Sequence, residues 1–205
     1  MQQVYEQNLW GSNGGDFYSG EGSHHPEMVN PYIIAVKTFL NAFEHPLMVC
    51  DLGCGDFNVG KQLVPHTKKY VAIDIVPDLI KRNSALFKDD KLAFHCLDIA
   101  LDKLPTGDCA ILRQVLQHLS NDEIHHILPK LASFKYLILT EHLPEGDFEP
   151  NRAIISGQGI RLKKQSGVDI LASPFHFKVK EAKELLSIKS PNFKGVIVTT
   201  LYTNL

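Results

Sequence analysis

Val49-Cys50-Asp51-Leu52-Gly53-Cys54-Gly55-Asp56 is the stretch on which the reading of this chain turns. An apolar run leads to an acidic residue, then to Gly-x-Gly, then to a segment able to start a helix. This is how the first strand of an open α/β sheet passes into a nucleotide-binding turn. The dinucleotide fingerprint asks for glycine at its first, third and sixth positions. Counting from Gly53, Gly55 fills the third position and Asn58 stands at the sixth. The last glycine lets helix and strand pack closely beside a pyrophosphate at the helix N-terminus. A ligand with adenosine but no pyrophosphate dispenses with it.

Outward from the turn the chain alternates. Near-continuous apolar runs predict strands at 47–52, 70–75, 92–97, 108–112 and 136–140, as suits strands covered on both faces. A β-branched run predicts another at 195–203. Helices are expected at 31–43, opened by Pro31, at 59–64, at 77–87 and at 179–187, with a short turn or helix at 115–119. Ser120-Asn121-Asp122-Glu123 reads as a capping box that opens a helix to about residue 133. Residues 1–30, rich in Gly, Ser, Asn and aromatics, read as an irregular arm. Residues 143–178 break the rhythm with Gly146, Pro150, Gly157, Gly159, Gly167 and Pro174. A long irregular segment inside a compact domain is usually functional. The fold class expected is α/β: an open, mostly parallel, doubly wound Rossmann-like sheet with helices on both faces.

At 205 residues the chain is expected to be one domain with a core of its own. A formal net charge of −2 gives no broad basic field, which weighs against a nucleic-acid partner. Cys50, Cys54, Cys96 and Cys109 form no Cys-x-x-Cys pair and read as reduced thiols. The start carries no apolar signal region, and no run approaches the ~18 apolar residues of a membrane span. A cytoplasmic protein without a membrane partner is expected. The pairs His24-His25 and His125-His126 diverge on any regular element, so no metal is expected. Lys68-Lys69 and Lys163-Lys164 read as solvated surface.

Ligands of such sheets bind outside the carboxyl ends of the strands, and those ends carry the candidate residues. Asp51, Gly53 and Gly55 close the first strand; the glycines let backbone approach a ligand and Asp51 is placed to hold an ammonium group. Asp74, with Ile75, closes the second, where a carboxylate accepts the two ribose hydroxyls. Asp98 closes the third and can accept an adenine amino group while Ile99 packs on the ring. Arg113 and Gln114 close the fourth, Arg113 suited to a carboxylate. His118, a turn beyond, and Glu141 and His142, after the fifth strand, are the candidate catalytic bases. These sites give the ammonium, ribose, adenine and carboxylate of S-adenosylmethionine a place each.

Together they resemble the class I S-adenosylmethionine-dependent methyltransferase family from residue 47 onward. The resemblance implies a seven-stranded sheet, the cofactor S-adenosyl-L-methionine, and the methyl group beside Arg113 to His118. A narrower resemblance, to a small bacterial methyltransferase group of unassigned substrate, rests on Ser19-Gly20-Glu21-Gly22-Ser23, Asp51 to Asn58, Val76 to Ile80, Val115 to Ser120 and Ser173-Pro174-Phe175. The chain departs from that group at Gln114, where an aspartate is usual, and at Ile160-Arg161, where Trp-Arg is usual.

Methyl transfer to a small-molecule or sugar-like acceptor is therefore the leading expectation, within one domain over 1–205. Residues 1–45 would act as a lid and 143–178 as a substrate-side insertion. The alternatives are an NAD-dependent oxidoreductase, a cofactor-binding regulatory protein without transfer activity, and an RNA acceptor, which the acidic balance disfavours.

Overall fold

The computed structural model describes residues 1–12, 14, 17–189 and 193–203. Strands β1 (Met48–Leu52), β2 (Lys69–Asp74), β3 (Leu92–Cys96), β4 (Cys109–Arg113), β5 (Tyr136–Leu143), β6 (Glu181–Ile188) and β7 (Val196–Thr203) form one sheet in the order β3-β2-β1-β4-β5-β7-β6. β1 to β5 pair in parallel, and β7 runs antiparallel to both β5 and β6. The order reverses between β1 and β4, which opens a crevice at their carboxyl ends.

The period of two along each strand divides the core into two layers. On one face Val49, Tyr70, Ala72, Ile111 and Ile138 pack against helix α2 (Pro26–Leu40) through Val29, Tyr32, Ile33, Val36 and Leu40. On the other, Leu52, Ile73, Leu112 and Leu139 meet helix α4 (Asn121–Leu131) through Ile124, Ile127, Leu128 and Leu131. Each such side chain, fully buried, contributes about 1.5–3 kcal/mol. Helix α3 (Pro77–Leu86) lies along β2 and β3, and a short helix α1 (Gln2–Glu6) packs Tyr5 on Val76 and Leu79. Among the described residues no helix is long and apolar enough to cross a membrane.

The capping box forms as expected. Glu123 N–H donates to Ser120 Oγ at 3.3 Å and Ser120 N–H to Glu123 Oε2 at 2.9 Å. Three helix expectations change. The helix expected from Pro31 starts at Pro26, which holds its first position, and Pro31 lies inside it. Residues 59–64 form no α-helix. Two 3₁₀ turns, Gly60–Gln62 and Val64–His66, stand there, because Pro65 lacks the N–H to continue a longer helix. The helix expected at 179–187 is β6, the seventh strand. Glu181, Lys183 and Glu184 suit a helix in isolation, but pairing with β7 overrides propensity. Its charged, exposed residues are those that keep a sheet edge from pairing with another chain. A register shift between Glu184 and Leu186 marks a bulge.

Residues 144–180 are irregular, as expected, yet firmly packed. Val168, Ile170 and Phe175 enter the same core layer as α4. Asn151, buried at φ 58°, donates from Nδ2 to Asp169 O at 2.7 Å and Ser173 O at 2.9 Å, and accepts from Asp169 N at 2.9 Å.

Candidate active site

The carboxyl ends of the central strands open into one cavity of about 680 Å³. The turn after β1 forms its floor. Gly53 and Gly55 have φ of +91° and +55°, a region L side chains rarely adopt. A Cβ on Gly53 would strike Val115, and one on Gly55 would strike Ser19 Oγ. The glycines therefore serve the close approach of other parts of the chain as well as that of a ligand.

Asp51 accepts a hydrogen bond from Tyr70 Oη at 2.8 Å, and burial pushes its carboxyl up to about 7. Asp74 accepts from Gly55 N and Val76 N, each at 3.1 Å, so two amides aim the carboxylate and leave it further lone pairs. Burial raises its pKa, and the amides offset part of that rise. Asp98 accepts from Ala100 N at 2.8 Å and Leu101 N at 3.2 Å, which shapes the turn carrying Ile99. Lys130 Nζ fixes the same turn by donating to the carbonyls of Ile99, Ala100 and Asp102. Asp51, Gly53, Gly55, Asp74, Ile75, Asp98, Ile99, Arg113 and Gln114, the residues expected on the cofactor side, all line this cavity.

Arg113 does more than the sequence suggested. Its guanidinium lies 4.9 Å from the Tyr32 ring centroid and donates to Gly22 O and Ser23 Oγ, tying the arm down over the floor. Gln114, at φ 57°, presses its side-chain amide against Gly22, where a Cβ would collide with it. Opposite, Asp56 accepts from Ser19 N at 2.8 Å and pairs with His24 Nε2 at 2.6 Å, while Asn58 Nδ2 donates to Ser23 O at 2.8 Å. Ser19 to Ser23, quoted above only for its resemblance, thus forms one cavity wall. Three polar atoms of lining residues are buried without partners: Tyr32 Oη, Arg113 Nε and His118 Nδ1. A hydroxyl on the apolar face of α2 was the one sequence signal for Tyr32.

His118 lines the cavity in a 3₁₀ turn, Leu116–His118, with its ring 5.2 Å from that of Trp10. Burial lowers its pKa to about 4. The other two candidate bases lie elsewhere. Glu141 is 3% exposed and not on the cavity wall; burial raises it to about 8, offset in part by Arg161 and the amides of Leu116 and Gln117. His142 lies off the wall against Phe193, its Nε2 2.6 Å from Lys194 O.

Arg161, noted in the sequence only within the pair Ile160-Arg161 and given no role there, is 1% exposed and organises this side of the site. Its guanidinium donates to Arg152 O at 3.0 Å, Leu116 O at 3.2 Å, Leu119 O at 2.8 Å and Asn121 Oδ1 at 2.7 Å. It therefore ties residues 151–164 to the turn that carries His118. Lys163 is exposed, as expected, and also stands at the rim of the cavity.

Residues 50–132 match the family model described as a methyltransferase domain. No curated protein matches the sequence. Among solved structures, the N-methyltransferase NodS from Bradyrhizobium japonicum WM9, in complex with S-adenosyl-L-homocysteine, aligns over 99% of this chain and 97% of its own, with a TM-score of 0.70 and 13% identity. Magnesium protoporphyrin IX methyltransferase from Synechocystis PCC 6803, with bound S-adenosylmethionine, aligns over 97% and 90% with a TM-score of 0.57 and 19% identity. Human N-acetylserotonin methyltransferase aligns over 89% of this chain and 54% of its own, with a TM-score of 0.58 and 18% identity. At such identities the likeness is one of fold. The chain thus has the fold of class I S-adenosylmethionine-dependent methyltransferases, and its residues 50–132 match the methyltransferase domain model.

Proposed function

We propose that the protein binds S-adenosylmethionine in this cavity and transfers its methyl group to a small-molecule acceptor. One observation carries the reading. The cavity that collects Asp51, Asp74 and Asp98 from successive strand ends also counts Tyr32 Oη and Arg113 Nε among its unpartnered buried atoms. A buried polar atom without a partner costs about 1–3 kcal/mol, so these two are suited to a ligand's carboxylate. Asp51 suits the neighbouring ammonium, Asp74 the ribose hydroxyls, and Asp98 the adenine amino group between Ile75 and Ile99. The volume lies within the few hundred to ~1,000 Å³ of small-molecule sites.

The bound cofactor supplies an activated methyl group. The chain's part is to bind, orient and exclude water, which is catalysis by proximity. Within a single domain, residues 1–45 and 143–178 cover the site and select the acceptor. A dinucleotide fits less well, because no α-helix follows the turn to meet a pyrophosphate, and Asn58 is bonded to the arm. Calorimetry tests the reading: S-adenosylmethionine and S-adenosylhomocysteine are each expected to bind in the micromolar range, and heat from neither would sink it.

A further inference from the structure

On the methyl-transfer reading the cofactor takes Asp51, Asp74 and Asp98, and among the described residues the other acids and His118 on the cavity wall are held by groups of the chain itself. Glu21 accepts from Tyr18 Oη and Asp51 from Tyr70 Oη. Asp56 is held by His24 and Ser19, and Asp74 and Asp98 by two backbone amides each. Glu123 accepts from Ser120 and Ser156. Although partial burial alone would raise it, these bonds hold its carboxyl below the usual range. Burial pushes the Tyr5 and Tyr70 phenols and the Cys54 thiol upward, so they stand protonated.

His118 is committed by a relay. His142 N–H donates to Gln117 Oε1 at 3.0 Å, which fixes the orientation of that side-chain amide. The Gln117 nitrogen therefore faces His118 Nε2, at 3.2 Å. An amide NH₂ only donates, so Nε2 must accept and the ring proton lies on Nδ1. Nδ1 is buried, with the backbone of residues 157–159 close beside the ring. His118 is thus a neutral linking group between Trp10, Gln117 and that backbone.

A methyl group placed on a primary or secondary amine, or on a hydroxyl, leaves a proton that a base must take. A carboxylate has already lost its proton at neutral pH. Its attack on a sulfonium also joins opposite charges into neutral products, which a cavity shielded from water favours. Lys163 is a side-chain cation of the wall that the cofactor reading leaves unused. It lines both the cavity and a smaller neighbouring pocket shared with Lys194, and among the described residues neither ammonium has a partner.

Building on the methyl-transfer reading, we propose that the acceptor is a carboxylic acid, bound as its carboxylate with Lys163 as counter-charge and attacking through a carboxylate oxygen. The O–CH₃ bond forms as the S–CH₃ bond breaks, and that bond's electron pair stays on sulfur. The products are a methyl ester and S-adenosylhomocysteine, and no proton moves.

Trp10, the chain's one tryptophan, lines the cavity, so its fluorescence reports occupancy. Calorimetry first shows whether S-adenosylhomocysteine binds; failure there is failure of the methyl-transfer reading, and the acid proposal falls with it. In the loaded protein, benzoate, phenylacetate and hexanoate are titrated beside benzylamine, phenethylamine and hexylamine. The acids are expected to bind about tenfold tighter than amines of the same frame, and Lys163→Gln to weaken the acids about fivefold. Thermal unfolding checks that the variant is folded. Nitrogen NMR is expected to find His118 neutral with its proton on Nδ1. Amines binding as tightly as acids, no acid binding, unchanged acid affinity in Lys163→Gln, or a His118 proton on Nε2 overturns the proposal.

Discussion

Residues 1–25 and 144–180 are equally irregular in sequence, yet they attach to the sheet by different physics. The later segment is part of the core: Val168, Ile170 and Phe175 share a layer with α4, and the buried Asn151 and Arg161 bond its backbone together. The arm has a smaller apolar cluster of its own, Tyr5 with Met1, Trp10 and Phe17 against Val76 and Leu79, set apart from the two main layers. Polar bonds do the rest, from Ser19 and His24 to Asp56 and from Arg113 to Gly22. Apolar burial accumulates with area, whereas each polar pin adds about 0.5–1.5 kcal/mol net. One segment is therefore a fixed wall of the cavity and the other a strap that can come away while the fold remains.

The largest effect should follow from breaking the wall at Arg161. Arg161→Ala frees the buried carbonyls of Arg152, Leu116 and Leu119 and the Asn121 Oδ1 from their charged donor, a loss of about 3–5 kcal/mol. Denaturant unfolding measures it, and a loss under about 1 kcal/mol would reduce Arg161 to a surface pin. Glu141, buried nearby, sets a pH dependence of its own. Glu141 stands near 8 in the folded protein against about 4.5 when unfolded, because burial disfavours its charge. A raised folded value gives a contribution fully present below about pH 4.5 and lost as pH climbs toward 8. Glu141→Gln removes that slope, so its stability should gain on the wild type steadily across this window. Asn151→Ala should cost rather less, about 2–3 kcal/mol, because it frees three backbone partners and leaves alanine in a left-handed conformation.

The sequence showed this division only in part. Periodicity located the parallel strands, since a run buried on both faces reads the same wherever it pairs. The glycine-rich turn and the acids at the strand ends were equally legible, because topology alone brings carboxyl ends together. Local pattern misread β6, whose lysines and glutamates suit a helix until β7 is beside it. It also missed what only tertiary contact creates. Tyr32 reads as one more apolar-face residue, Lys163 as half of a surface pair, and Arg161 as an ordinary cation in a glycine-rich loop. Glu141 and His142 were legible as residues after a strand, but no local pattern marks them as turning away from the cavity.

The strap should respond to substitution in the opposite proportion to the wall. Gly55→Ala puts a Cβ against Ser19 Oγ at a φ of +55°, so it should cost about 1–2 kcal/mol and displace the arm. Ser19→Ala is gentler. It removes one acceptor for Asp56 N and one partner for Tyr5 Oη, both at the margin of the fold, and should cost under about 1 kcal/mol of global stability. Its effect on ligand binding should nevertheless be clear. If the arm closes over the ligand, part of the binding energy goes into ordering it, and a weakened strap should reduce S-adenosylhomocysteine affinity about fivefold. Calorimetry reads the affinity, and hydrogen exchange at residues 17–24 should show faster opening while β1 and β4 stay protected. If Ser19→Ala lowered protection equally across the sheet, arm and core would be one cooperative unit, and the distinction between strap and wall would fail.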